Sequence, residues 1–491
     1  MDPRHLLRAG LVVLVTLGTL LPTLVGGTGV ATVGPASPPA PGVDAAVHPG
    51  QPADGSTGGV DRSVATGGVE QSVATDGPVV AVRAHRLGTE NGGGNGSLAY
   101  DVAIEGLSNA SAAWVLVPEA TGHDLASLDR DPDAPGRFAW DGTGESASLT
   151  LRPSAHPGSD RGLSVGGAGW QFGPVPNLVV VWEGADGTRH TVRPFADRGR
   201  SRATVIVHQA GFVGEDVALI GRATTHVRDL PGGRVRLLVP PGVEPRAPPA
   251  RLLDALETVA SRIETSPAAQ RPTTVVVLPA SVRAGGATFV DSGEAWVNEA
   301  SPLGTVDNVW LHEFVHARQS MTLAREMRWF REASAEYLAA RLAGDAGLTS
   351  ERAIGRHLSG DEGAGATLAA PGTWSDDRVA YTRGARVLAA LDREIRSRTD
   401  DQRTLLDVFQ RLNRHDGPVT REVFAATVSR VAGTDMTAWI DRHVAGPAPV
   451  AGVTVDAGRS ALPGGAPLQS ALAVTGVALL GLVGGQRVLG P

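Results

Sequence analysis

The run His312-Glu313-Phe314-Val315-His316 constrains this chain more than any other stretch. Histidines four residues apart share one face of a helix, so both imidazoles reach a single metal ion only if the backbone here is helical. Glu313 then lies beside that ion, where it can take a proton from a water on the metal. The surrounding segment has the required pattern. Val306, Trp310, Leu311, Phe314 and Val315 recur at helical spacing between Val306 and Ser320, with no Pro or Gly among them. Thr305 or Asp307 is placed to cap the start.

A metal held by two histidines needs at least one more protein ligand, with a position left open for chemistry. The next segment, Trp329-Phe330-Arg331-Glu332-Ala333-Ser334-Ala335-Glu336-Tyr337, offers candidates and is also helical in pattern. Phe330, Ala333, Tyr337 and Leu338 make an apolar face, and Gly344 stands near the expected end. Glu332 and Glu336 are neighbours on one face, and both do not fit easily around one ion. Glu332 is taken as the third ligand. Glu336, one turn further on, is placed to accept the second N–H of a metal-bound histidine.

With these residues in view, the chain resembles the gluzincin zinc metallopeptidases of the thermolysin and aminopeptidase-N superfamily, in which H-E-x-x-H precedes a helix carrying a glutamate ligand. Trp329-Phe330-Arg331-Glu332-Ala333 is similar to the W-L-N-E-G run of the aminopeptidase-N family. Glu332-Ala333-Ser334-Ala335-Glu336 is similar to thermolysin's N-E-A-x-x-D, where the first acid binds zinc and the second holds a zinc histidine. Both comparisons select Glu332, whereas thermolysin's spacing after the second histidine would land on Glu336. Val379-Ala380-Tyr381-Thr382-Arg383-Gly384-Ala385 resembles the family's Y-x-K-G motif with Arg for Lys. The resemblance implies that Tyr381 donates to the tetrahedral intermediate, a task suited to a phenol that is a neutral donor at pH 7.

One departure bears on specificity. The aminopeptidases carry G-x-M-E-N on a strand ahead of the zinc helix, and its glutamate grips the substrate's free amino group. The corresponding substrate strand here is Gly285-Gly286-Ala287-Thr288-Phe289, with Thr288 in the place of that glutamate. A threonine cannot pair electrostatically with an ammonium group, although main-chain hydrogen bonds to such a strand are still available. Glu294 or Glu299 could substitute if the loop folds back. Endopeptidase and aminopeptidase activity both remain open at this point.

The chain has 491 residues, room for two or three domains. It contains no Cys, which excludes disulfides, a cysteine metal site and a thiol nucleophile. The net charge of −7 and the lack of any basic run give no sign of a nucleic-acid partner. Arg4, His5 and Arg8 precede an apolar run from Ala9 to Val25, so residues 1–28 read as a signal peptide or an anchor. An apolar stretch at 468–485, followed by Arg487, reads as a C-terminal transmembrane helix. These two ends predict an extracellular, cell-surface protein anchored in the membrane.

Between the ends, 29–76 is rich in Gly, Pro, Ala, Ser and Thr and holds too few large apolar residues to fold; it reads as a disordered linker. Residues 77–233 show short β-like runs between Gly-rich turns, which predicts an all-β, sandwich-like domain. Residues 234–446 place strands and a helix ahead of the metal helices, the order of an α+β gluzincin (thermolysin-like) domain, and 447–467 is a second linker. The expected protein is thus multidomain, holds Zn2+ through His312, His316 and Glu332, and hydrolyses a peptide or protein substrate with Glu313 as base. Two other functions stay open: a catalytically inactive zinc-containing surface binding protein, and a zinc hydrolase acting on a non-peptide bond.

Overall fold

A computed structural model describes residues 78–87, 97–118, 120–153, 163–196, 210–264, 271–282 and 285–450, together with the backbone of strands at 12–15 and 203–207. The chain divides into a β-rich first part and a second part in which helices dominate.

The first part contains two five-stranded sheets. One holds Val79–Leu87, Ser97–Glu105, Ser146–Pro153 and Ala120–Ala126 in antiparallel order, with Ala203–Val207 added in parallel at the edge. The other is built from Ala110–Leu116, Val179–Gly184, Arg189–Val192, Arg137–Trp140 and Leu128–Arg130, all antiparallel. Alternation along the strands decides what is inside. Val80, Val82 and Ala84 of the first strand are buried, while Val79 is exposed.

A third sheet of four strands departs from a simple sandwich. It pairs Trp170–Pro174 with Val165–Gly167 and Val217–Gly221, and the latter with Gly211–Val213. Its two faces serve different cores. Val217 and Leu219 join Trp170 and Phe172 in the core shared with the helices, whereas Ala218 and Ile220 face the core of the β-rich part. Because successive strand residues point to opposite faces, an unbroken apolar run is what a sheet between two cores requires.

The mixed sheet of the second part begins at Thr224, ahead of Arg234, because Thr224–Leu230 forms a hairpin with Gly233–Val239. Gly233–Val239, Thr273–Leu278 and Glu294–Asn298 run parallel, and helix α1 (Pro249–Arg262) makes the crossover between the first two. Thr273–Leu278 and Glu294–Asn298 are buried at every position, as befits strands covered on both faces. Gly286–Phe289 lies antiparallel beside Glu294–Asn298, and Val12–Val15 pairs antiparallel with its outer edge.

Helices α2 (Val309–Ala317) and α3 (Trp329–Asp345) pack below this edge, followed by α4 (Glu351–His357). A π-helical turn at Ala380–Gly384 runs into α5 (Ala385–Arg398), and α6 (Leu405–Asn413) and α7 (Arg421–Ala432) complete the bundle. Small residues Ala333, Ala335, Ala339, Ala340 and Ala343 let α3 sit buried among its neighbours. Phe330 meets Phe409 and Phe424, which ties α3 to α6 and α7.

Two boundaries differ from expectation. Neither Thr305 nor Asp307 caps α2; the Asn308 side chain accepts from Leu311 N, so the helix starts at Val309. Helix α3 continues past Gly344 to Asp345, and Gly347, at φ +68°, adopts the left-handed conformation beyond it. Among the described residues no helix is long and apolar enough to cross a membrane. The expected C-terminal transmembrane helix at 468–485 and the linker at 29–76 lie outside the described residues. So does the expected signal or anchor at 1–28, apart from Val12–Val15, which is a strand.

Candidate metal centre

Helix α2 delivers both histidines in the orientation a metal needs. The Nε2 atoms of His312 and His316 face each other at 3.0 Å, and both side chains are buried. Their other ring nitrogens are engaged. His312 Nδ1 lies 3.1 Å from Glu336 Oε2, and His316 Nδ1 lies 2.9 Å from Gln319 Oε1. The Gln319 amide nitrogen donates to Arg331 O and Ser334 Oγ, which fixes its oxygen toward His316. A carboxylate and an amide oxygen can only accept, so each imidazole carries a proton on Nδ1, and Nε2 is the atom left to meet a metal.

Helix α3 brings the third donor. Glu332 Oε2 lies 3.6 Å from His312 Nε2 and 3.3 Å from His316 Nε2, and this oxygen is buried. Three ligand atoms thus converge in a buried site, an arrangement that a cation completes. In a tetrahedral site with bonds of about 2.05 Å, adjacent ligand atoms stand roughly 3.3 Å apart. The three separations bracket that value, and a His-His-Glu set with an open position fits Zn2+.

Electrostatics around the three donors reinforce one another. Burial pushes the Glu332 carboxyl up, but the His316 and His312 imidazoles outweigh it and hold it well below the ordinary carboxylate range. Burial likewise raises Glu336, and its bonds to His312 and His357 outweigh this and take it down to about 2. His357, from the end of α4, approaches Glu336 Oε1 at 2.7 Å, so this carboxylate is gripped from both sides. Burial works against an imidazolium at His316 and lowers its pKa, opposed by Glu332.

Glu313 projects from α2 toward the strand Gly286–Phe289. Thr288 Oγ1 is 2.7 Å from Glu313 Oε2 and 2.9 Å from Glu313 O. Gly286 faces the same side chain, and a Cβ there would lie 2.9 Å from Glu313 Cγ and 2.9 Å from Val309 Cγ1. Gly286 and Thr288 share the strand face turned to the metal helix, whereas Ala287 points into the core and the Gly285 carbonyl accepts from Asn298 N.

Tyr381 enters from the π-helical turn, a distortion often found at functional sites. Its ring stacks on His312 at a centroid distance of 5.8 Å and an angle of 10°. Burial, the Glu332 charge and a hydrogen bond to Glu332 all keep its phenol protonated, well above the usual range. Arg383 of the same turn donates to the carbonyls of His443, Gly446 and Ala448, which clamps the turn to the following chain. A Cβ on Gly384 would meet Ala333 Cβ at 2.7 Å, so only glycine lets this turn press against α3 one residue from Glu332.

No protein-family model matches the chain, and no curated protein matches it. Among solved structures it is similar to an aminopeptidase N family protein from Idiomarina loihiensis, with a TM-score of 0.48, 13% identity and coverage of 74% of each chain. It is also similar to an M1 zinc metallopeptidase from Deinococcus radiodurans, with a TM-score of 0.45, 15% identity and coverage of 77% of this chain and 95% of that one. A mutant M1 zinc metallopeptidase from Deinococcus radiodurans bound to a Tyr-Ser-Ala substrate gives a TM-score of 0.46 and 14% identity, covering 77% and 96%.

Glu294 and Glu299, considered as replacements at the Thr288 position, are committed elsewhere. Glu294 accepts from the main-chain nitrogens of Glu215, Asp216 and Val217. Glu299 accepts from Glu244 N and Ala280 N. Gln319 and His357 were not singled out from sequence. Gln319 stands three residues after His316, a helical spacing that could have pointed to it. For His357, brought in by a separate helix, no local signal exists.

Proposed function

We propose that this chain is a zinc-dependent peptidase whose ligands are His312, His316 and Glu332. The observation that carries the reading is the convergence of three buried donor atoms beside a further carboxylate, Glu313, which is not needed to complete a structural site. Zn2+ bound there would lower the pKa of a water and polarise a scissile carbonyl. Glu313 takes the proton from the attacking water and returns it to the leaving amine. Tyr381, a neutral phenol at pH 7, donates a hydrogen bond to the developing oxyanion. Glu336 and Gln319 hold the imidazoles in the tautomer that presents Nε2 inward.

The strand Gly286–Phe289 supplies the place for substrate backbone, since its outer edge pairs with an extended segment, Val12–Val15, in antiparallel register. The Thr288 hydroxyl is occupied by Glu313, and Glu294 and Glu299 are anchored to main-chain amides. The substrate we assign is therefore an internal peptide bond, without a requirement for a free amino terminus. Export and membrane attachment belong to this reading on the strength of the apolar runs at the two ends of the sequence.

Metal analysis combined with a peptide-library digest, with and without chelator, tests the proposal. It expects one zinc per chain and internal cuts that stop on chelation. Stepwise trimming from the amino terminus would replace the endopeptidase assignment. Bound zinc without cleavage of any peptide would remove the enzymatic reading.

A further inference from the structure

We propose that Thr288 is the positioning residue for the Glu313 carboxylate, an inference that rests on Glu313 being the base. Thr288 is completely buried, and its hydroxyl has one proton for two acceptors, both belonging to Glu313. Toward the carboxylate it donates to Oε2 at 2.7 Å, a charge-assisted bond that fixes the rotation of the group. The main-chain oxygen at 2.9 Å gives the hydroxyl a second direction. When Oε1 carries the proton taken from water, Oε2 keeps the bond it accepts from Oγ1. No heavy atom has to move between the two states.

The strand is shaped for this task by two residues on one face. Gly286 has no side chain where the Glu313 stem passes, since any Cβ would come within 2.9 Å of Glu313 Cγ. Thr288, two positions on, closes over the head of the same side chain. The glycine gives Glu313 its space, and the threonine gives it its angle. Oε2 is thereby committed to the protein, and exchange with water falls to Oε1. A group that transfers a proton must be held to within a few tenths of an ångström, so loss of the hydroxyl acts on turnover before it acts on binding.

The test uses the full chain loaded with zinc and a peptide that the wild type cleaves. Thr288→Val keeps the shape and removes the hydroxyl; Thr288→Ser keeps the hydroxyl and removes the methyl; Thr288→Ala serves if valine is not accommodated. The expected result is a kcat lower by about 10- to 100-fold in the valine or alanine variant, with KM within about twofold. Zinc content stays at the wild-type value, Thr288→Ser recovers turnover to within about fivefold, and a crystal structure of the valine variant shows the Glu313 carboxylate rotated while His312, His316 and Glu332 keep their places. Wild-type kcat in Thr288→Val overturns the inference. So does a loss of activity that tracks zinc content and is no smaller in Thr288→Ser. A wild type that cleaves no peptide, and so does not differ from Glu313→Gln, overturns the peptidase reading itself and this inference with it.

Discussion

Tyr381 lies flat against His312, the two rings 5.8 Å apart and 10° from parallel. The stack fixes where the phenol can reach, because the ring slides against an imidazole already held by Glu336. Tyr381→Phe keeps the stack and removes only the hydroxyl. We expect kcat to fall by about 100- to 1000-fold, the range for removing one oxyanion donor, with KM and zinc content unchanged. Steady-state kinetics alongside metal analysis check this, and a rise in KM with kcat unchanged would remove Tyr381 from the chemistry.

Glu313 and Glu332 are both glutamates on adjacent metal-facing helices, yet their substitutions should separate cleanly. Glu332→Ala removes one of three donors and leaves two imidazole lone pairs without the anion that balances a cation. It should purify with less than stoichiometric zinc and show a zinc affinity lower by at least about 10-fold. Glu313→Gln should carry full zinc and lose turnover by about 1000-fold or more. Elemental analysis and a chelator competition decide the matter; the reverse pattern would exchange the two assignments.

Gly384 tests whether close packing, rather than backbone freedom, places the tyrosine turn. It is helical, so an alanine there suffers no backbone strain, but its Cβ would meet Ala333 Cβ at 2.7 Å. Overpacking of this kind costs about 1–3 kcal/mol, and the turn must retreat from α3 to relieve it. Gly384→Ala should lower the thermal midpoint and reduce kcat together, since Tyr381 and Glu332 stand on the two surfaces being pushed apart. Unchanged turnover at lowered stability would uncouple the turn from the site.

The centre was legible because its signals are local. His312, Glu313 and His316 fall in one helical turn, and Glu332 and Glu336 repeat the same spacing on the next helix, so periodicity alone places each set on a face. Their joining could be read only from residue chemistry, through the need of two imidazoles for a third donor. Thr288 was noticed for what it replaces, not for the bond it makes to Glu313 across 25 positions of sequence. His357 reaches Glu336 from a helix whose sequence carries no sign of the task. The third sheet escaped for a different reason. Val217–Gly221 is apolar on both faces, and such a run does not reveal that it divides two cores instead of lying within one. Cap positions shifted because Asn308 outcompetes its neighbours through a single side-chain bond.

Glu294 offers a prediction away from the metal. Its carboxylate is buried between Glu294–Asn298 and the turn before Val217, where three main-chain N–H groups point at it. Burial opposes the charge and outweighs those three bonds, with the Asp216 charge adding to it, so the pKa is pushed up from 4.5 to about 7. A folded value above the unfolded one means that the folded chain binds this proton more tightly. The resulting stabilisation is complete below pH 4.5 and is lost as pH rises to about 7, by an amount on the order of 3 kcal/mol. Glu294→Gln cannot titrate and presents one N–H2 group where an oxygen accepted, so it should be less stable than the wild type at pH 5. Between pH 5 and pH 8 the gap should narrow, because the wild type loses its contribution and the variant has none to lose. Urea denaturation at the two pH values measures the difference directly. Parallel pH dependence in the two proteins would show that the carboxylate stays ionised throughout, with the three N–H groups prevailing over burial.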